Sequence, residues 1–357
     1  MHEKLGAKMV DFGGWYMPVQ YTSVIDEHTT TRTKAGLFDI CHMGEFIVKG
    51  SDSMQFLQKV FTNDLNKLYP KKAIYSLMCY ENGATADDLF VYQLKENEFM
   101  VVVNSGKIDE DFNWLKEHSA KFNVEISNIS SKTAKLDLQG PFSEKILKKL
   151  ADASLPKRFH FIETDIMGIK TLISRTGYTA EDGFELYFPP EEAEKMWNKL
   201  LEVGKDEGLK PIGLGARDTL RIEACYPLYG HELNETITPI EANLGWAVKT
   251  EKPDFIAKQI LKKQKEQGTG RILVPFEMID KGIPREHYEV FANGKSNEQI
   301  GYVTSGTFSP TFRKPLGMAL IKTAFSQIGN TITIKIRDKF YNAVIVKRPF
   351  YKYNGGK

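Results

Sequence analysis

The sequence predicts a multidomain α+β protein with antiparallel sheets that ends in an all-β, barrel-like domain. Three observations carry this. A chain of 357 residues exceeds the usual single-domain size and divides into two or three compact units. Helical and strand periods alternate up to about residue 250. From Arg271 onward only short strands remain, separated by Gly, Asn and Pro turns.

In chain order, "SDSMQFLQKVF" predicts a helix capped by Ser51, with Met54, Leu57 and Phe61 on one face. "FMVVVN" is a short buried strand ending at Asn104, and "KIDEDFNWLKEH" a second amphipathic helix presenting Ile108, Phe112 and Leu115. "GFELYF" alternates, so Phe184, Leu186 and Phe188 face one way and Glu185 and Tyr187 the other. "EEAEKMWNKLLEVGK" and "FIAKQILKKQKEQG" return to the helical period. The second of these is the expected linker, residues 255–274, between a region spanning 1–254 and a β-domain spanning 275–357. In that last domain "ILVPFEM", "YEVFANGK", "QIGYVTSG", "TITIKIRD" and "YNAVIVKRPF" read as strands.

Composition narrows the function. With 41% hydrophobic and 26% charged residues and no apolar run near the ~20 residues that span a bilayer, the chain is expected to be soluble, with no membrane partner. "MHEKLGAKMVDFGGW" lacks the apolar core of a secretory signal, which predicts a cytoplasmic protein or a mature chain. Three widely spaced cysteines, Cys41, Cys79 and Cys225, suit neither a disulfide framework nor a zinc site and are expected to be reduced. A net charge of +2 predicts no nucleic-acid partner. His28 and His42 lack close metal-ligand spacing, so no metal is expected. "GLGA" is only a turn before a helix, and neither a nucleotide loop nor a GxSxG elbow occurs. Asp87, Tyr178, Glu185 and Arg217 remain, at strand ends; singly, each is more often a structural or surface residue.

Whole motifs alter that balance. "MVDFGGWYMPVQY", "RTKAGLFDICHMGEF", "TNDL", "ADDLFVY", "VVVNSG", "RTGYTAEDGFELY", "IGLGARDTLRIEACYPLYGHEL", "TPIEANLGWAVK", "DFIAK" and "GYVTSGTFSPTFRKPLGMA" occur in this order from Phe12 to Phe350. In them the chain resembles the aminomethyltransferase family, the T proteins of the glycine cleavage system. The resemblance implies two interleaved α+β units with folate where they meet the β-domain. It implies transfer of the aminomethyl group on the lipoyl arm of H protein to tetrahydrofolate, with release of ammonia and a methylene bridge between N-5 and N-10. Tetrahydrofolate is then a co-substrate and lipoylated H protein the partner.

The same resemblance assigns residues. Asp87, the first of the "ADD" pair, is the expected catalytic carboxylate, and Asp88, its neighbour on the strand, is expected to point away and act structurally. Glu185 looks like the residue that grips the pterin through paired hydrogen bonds, with Tyr178 and Arg217 completing the pocket. Met43, Ile74, Val102 and Asn104 are expected on the far wall, and Tyr351 or Tyr353 at the lipoyl entrance. Ala84, Ala180, Ala257 and Cys41 depart from the family pattern, and alanine where glycine needed a positive φ would cost roughly 1 kcal/mol. Two neighbouring readings are a folate-dependent demethylase of the same superfamily and a noncatalytic folate-binding protein. The chain lacks the dinucleotide fingerprint of the flavin domain common in the first and the KGCYxGQE motif of the second.

Overall fold

The computed structural model describes residues 1–292 and 298–353, so the turn expected after Ala292 and the end of the tail lie outside the described residues. A hairpin opens the chain, β1 (Lys8–Phe12) and β2 (Trp15–Gln20), followed by α1 (Val24–Thr33) and β3 (Gly36–Asp39). Next come β4 (Gly44–Lys49), α2 (Ser53–Val60), β5 (Lys72–Cys79), β6 (Thr85–Lys95), β7 (Glu98–Val103), α3 (Ile108–His118) and β8 (Glu125–Asn128). The chain then returns through β9 (Ala134–Gln139), α4 (Ser143–Leu147), β10 (Phe161–Ile166), β11 (Ile169–Ser174), β12 (Gly183–Phe188), α5 (Ala193–Gly204), β13 (Lys210–Ile212) and α6 (Leu214–Glu223). After α7 (Lys258–Gln267) it closes with β14 (Arg271–Met278), β15 (Glu289–Ala292), β16 (Gln299–Ser309), β17 (Lys314–Lys322), β18 (Thr331–Ile336) and β19 (Lys339–Ile345).

The units interleave as the resemblance implied. One sheet runs β10-β11-β12-β9-β3-β13, and its strand β3 is separated in sequence from β9 by the whole second sheet, β5-β6-β7-β4-β8. The second sheet is antiparallel throughout, and the first is antiparallel except where β13 joins β3. The last six strands form a closed barrel, which begins at Arg271 and includes β17, a strand not anticipated because Gly317 and Pro315 interrupt its apolar pattern.

Alternation along each strand builds the layers. On β9 and β12, Leu136, Leu138, Phe184, Leu186 and Phe188 join a core with α4 and α5 through Ile146, Leu147, Met196 and Trp197. On β6 and β7, Leu89, Val91, Val101 and Val103 join Phe56, Leu57 and Leu115 of α2 and α3. The opposite faces look at each other: Tyr92, Met100 and Val102 of the second sheet pack with Phe161 and Tyr187 of the first. Helices α4 and α5 cover the outside of the first sheet and α2 and α3 the outside of the second, and the inner faces look toward each other.

Two local expectations need correction. Asp52, not Ser51, occupies the N-cap of α2, and the Ser51 hydroxyl donates to the Asp52 carboxylate at 3.3 Å. Phe61 has already left that helix, with φ −112°, because the chain turns there into the loop that bonds Leu77. Ala180 (φ 61°) and Ala257 (φ 66°) both occupy left-handed backbone, where alanine costs roughly 1 kcal/mol against glycine.

The units are tied at the C-terminal end of α6. The fully buried Glu223 carboxylate accepts hydrogen bonds from Arg32 Nη2 (3.0 Å) on α1 and from Thr311 Oγ1 (2.8 Å) and Ser309 Oγ on the barrel side. His28 Nε2 lies 3.3 Å away, and the Glu223 carbonyl accepts the Tyr351 N–H at 2.8 Å. Burial by itself would raise this carboxyl, but the bonds from His28, Arg32 and Ser309 outweigh it and hold it at about 2. A depressed carboxylate stabilises the fold above its unfolded pKa, and that stabilisation disappears as pH falls from about 4.5 toward about 2. Glu223→Gln is therefore expected to lose roughly 3 kcal/mol at neutral pH and to flatten the acid limb of stability. Urea melts between neutral and acidic pH check this; parallel curves for variant and wild type would refute it.

Candidate active site

Between the facing sheets and the barrel lies a cavity of about 1150 Å³, above the ~300–1,000 Å³ usual for a single small ligand. Its floor comes from β9 and β12. In their register Glu185 sits directly opposite Asp137, and Tyr187 opposite Lys135, all on the inner face. Like charges facing each other across a sheet are unfavourable, so each carboxylate needs a cation. Lys135 Nζ is 3.0 Å from Glu185 Oε1, and Arg217 Nη1 is 3.5 Å from Asp137 Oδ2. Arg217 comes from the first turn of α6 and lies over the Tyr178 ring at 4.7 Å, while the Tyr178 hydroxyl donates to the Pro227 carbonyl.

Glu185 Oε2 accepts from the hydroxyls of Thr176, Tyr92 (3.3 Å) and Tyr187 (3.4 Å). Burial pushes this carboxyl upward, but Lys135 and the Thr176 hydroxyl reverse the effect and leave it below its ordinary value. Asp137 goes the other way, raised to about 7 by burial and by Glu185. Glu45 on β4, opposite Val102, is fully buried, and neither of its carboxyl oxygens has a hydrogen-bond partner among the described residues. Burial lifts it to about 8 and keeps it neutral. The adjacent His42 is held at about 3 by burial and Arg217 and so remains an uncharged imidazole.

The opposite wall comes from the second sheet. Tyr75 pairs with Phe90, Phe90 with Val102 and Leu77 with Asp88, so Tyr75, Phe90, Val102 and Asp88 share the inner face. Asp88 Oδ2 accepts the Tyr75 hydroxyl at 2.9 Å, and Asp88 Oδ1 accepts Asn104 Nδ2 at 2.9 Å. Trp246 stacks on Tyr75 at 5.5 Å, and Phe12, at the tip of the β1–β2 hairpin, meets His42 edge-on at 5.6 Å. Arg348 and Pro349 of the tail complete the rim.

Met43, Val102, Asn104, Tyr178, Glu185 and Arg217 are brought together in the lining of one cavity. Three expectations are corrected. Asp87 points to the outer face with Leu89 and Val91, toward α3, and Asp88 is the carboxylate that faces the cavity. Ile74 likewise packs outward against the core of the second sheet, and Tyr75 lines the cavity in its place. Both reversals have one cause: a strand alternates by single residues, and only the packing of the sheet decides which set faces in. Tyr351 and Tyr353 do not line the cavity. The Tyr351 ring is taken up against the Arg32 guanidinium, 3.7 Å from its centroid, and fastens the tail to α1. Lys135 was missed, although "AKLDLQ" places Lys135 and Asp137 on the polar face of a strand in the same way that "GFELYF" places Glu185.

A chamber with an aromatic wall, an ion-paired floor and the Asp88 carboxylate facing in from the second sheet is built for a group-transfer enzyme. The GCVT N-terminal domain model matches residues 1–252, and the Glycine cleavage T-protein C-terminal barrel domain model matches residues 271–352. The chain belongs to the glycine cleavage T-protein family. It is 55% identical to the aminomethyltransferase of Geobacillus sp. (strain WCH70), over 99% of this chain and 97% of the relative. The Anoxybacillus flavithermus aminomethyltransferase is also 55% identical, with the same coverage. The crystal structure of glycine cleavage system aminomethyltransferase T from Bartonella henselae superposes with a TM-score of 0.91 at 33% identity, covering 98% of this chain and 96% of that one.

The geometry sets a pH expectation. Burial first, and then the charge of Asp87, raise Asp88 to about 7. Asp87→Asn removes that charge and should move the Asp88 titration toward its ordinary, lower value. Carboxyl ¹³C NMR of aspartate-labelled protein reads this directly, and an unmoved or raised Asp88 titration would exclude the assigned cause.

Proposed function

We propose a division of labour within the cavity: the ion-paired floor holds the pterin of tetrahydrofolate, and Asp88 serves the transferring carbon. The chain is a tetrahydrofolate-dependent aminomethyltransferase of the glycine cleavage system. Its partner in this reading is the lipoylated H protein, whose arm delivers the aminomethyl group. The observation that carries the reading is the position of Asp88, the inward carboxylate beside an aromatic wall and across from a floor of paired charges.

The residues present fit a folate. The Glu185 carboxylate suits the adjacent amide and amine N–H groups of a pterin, since a carboxylate accepts two parallel bonds. Tyr178, Phe90 and Tyr75 offer flat faces to rings, and Met43 and Val102 offer apolar contact. A volume above the usual single-ligand range leaves room for a second substrate arm.

Departure of ammonia leaves positive charge on the carbon that the folate amine attacks. Asp88 in its anionic form stabilises that charge where little water screens it. Its elevated pKa also matches a group that accepts a proton near neutral pH. Tyr75 and Asn104, each 2.9 Å from an Asp88 oxygen, hold the carboxylate in one orientation. A cytoplasmic setting completes the proposal and accords with three free thiols.

Asp88→Asn keeps the shape and deletes the charge, so transfer should slow by about 10²- to 10³-fold while folate affinity hardly changes. Single-turnover ammonia release from aminomethyl-loaded H protein at saturating tetrahydrofolate isolates this step; near-wild-type release would overturn the role of Asp88.

Glu185→Ala should instead weaken tetrahydrofolate binding by ~2 to 4 kcal/mol, because a buried charged acceptor is lost, with Glu185→Gln milder. Calorimetric titration of both variants provides the check, and unchanged affinity in the alanine variant would remove Glu185 from the pterin site.

A further inference from the structure

Asp87 and Asp88 project from opposite faces of β6, yet one side chain bonds both of them: Asn104, the residue at which the chain leaves β7. We infer that Asp87 is a positioning residue for the transfer reaction, holding Asn104 in the place and orientation from which its amide fixes the cavity-facing Asp88. This rests on the reading of Asp88 as the reacting carboxylate.

The register of the second sheet sets up these bonds. β6 and β7 pair Phe90 with Val102, so two residues further on, just past the end of β7, Asn104 comes alongside Asp88. The strand ladder stops there, and the Asn104 backbone N–H donates to Asp87 Oδ2 at 3.0 Å. Asp87 Oδ1 accepts Asn104 Nδ2 at 2.7 Å. The same nitrogen donates to Asp88 Oδ1 at 2.9 Å and, at 3.1 Å, to the Asp88 carbonyl. One carboxylate thus grips both the backbone and the side chain of Asn104, and the two hydrogens of the amide are committed between the aspartates. The other Asp88 oxygen takes the Tyr75 hydroxyl at 2.9 Å. Were Asn104 free to turn, Tyr75 alone would orient the reacting carboxylate, through a single oxygen.

The chemistry of the position calls for an aspartate. Asp87 is fully buried, and a buried acid is costly unless its bonds require it. Here both donors of one residue must be accepted, one on each oxygen. Asparagine would turn an N–H toward one of the two Asn104 donors, and an apolar side chain would leave both unmet. Asp87 is absent from the lining of the cavity, so its influence on the reaction passes through Asn104, which does line it.

Asp87→Asn keeps the volume and cuts one of the two bonds to Asn104. Asp87→Ala cuts both and is the second variant should asparagine not fold. With aminomethyl-loaded H protein and tetrahydrofolate, kcat of Asp87→Asn should fall by about 10- to 10²-fold, as expected for a misplaced reacting group, with KM for tetrahydrofolate within about twofold. The loss should persist on the alkaline plateau of the pH profile, where Asp88 is ionised in both proteins, so that it reports position and not charge. In an Asp88→Asn background Asp87→Asn should cause no further loss, because the path through Asp88 is already gone. Wild type gives a readout independent of turnover. Its Asn104 side-chain amide, identified in NMR spectra by its disappearance in Asn104→Ala, should exchange slowly with solvent, and Asp87→Asn should speed that exchange by about tenfold or more. The inference is overturned if the Asp87 variant that folds transfers normally, if its loss appears only in KM or vanishes on the alkaline plateau, if the losses multiply in the double variant, or if the wild-type amide exchanges freely. Normal transfer by Asp88→Asn alone would instead remove the reading on which it rests.

Discussion

The Glu223 carboxylate is the point on which the arrangement of the three units depends. It is a fully buried anion at the end of α6, reached by α1 from one side and by the barrel from the other, and the Glu223 carbonyl also anchors the tail at Tyr351. An anion without water must be satisfied by the protein, so every group that bonds it is held at a fixed distance from the others. Arg32 is fixed further by Glu181 at 2.9 Å and by the Tyr351 ring. Since Glu181 also belongs to the cavity wall, the cluster that joins the units reaches the chamber between them.

The inner faces of the two sheets carry the functional tension of the molecule. A polar face on a buried strand is unfavourable unless each charge finds a partner, and β9 and β12 place Asp137 and Glu185 side by side. Lys135 and Arg217 compensate, but not fully: Asp137 is raised to about 7, and Glu45 remains without a hydrogen-bond partner among the described residues. Such a floor is better suited to receiving a polar ligand than to closing on itself. The helices on the outer faces make ordinary apolar cores, through Trp197 in one unit and Phe56 and Leu115 in the other, and these bear the stability that the interior gives up.

Much of this was legible from the residues in order. The periodic helices at α3, α5 and α7, the alternating strand "GFELYF" and the switch to β-structure near Arg271 all appear where the pattern puts them. Met43, Val102, Asn104, Tyr178, Glu185 and Arg217 converge on one cavity although they are scattered over nearly half of the chain. The failures are of one kind. Asp87 against Asp88 and Ile74 against Tyr75 are choices between adjacent residues on strands whose two faces are both buried, so polarity does not mark the inside.

The sequence by itself determined the periods, the order of elements, the chemical groups available and the family to which they belong, because these depend on local spacing and on motifs that survive as strings. Only the tertiary structure decided which face of β6 looks inward, which cation neutralises each carboxylate, and which tail residue reaches the rim. Those outcomes depend on contacts between segments far apart in the chain, as between Arg217 and Asp137 or Asn104 and Asp88, and no local pattern records them. The two aspartates of "ADD" are chemically the same in sequence; packing one against a helix and opening the other to a cavity is what makes them different.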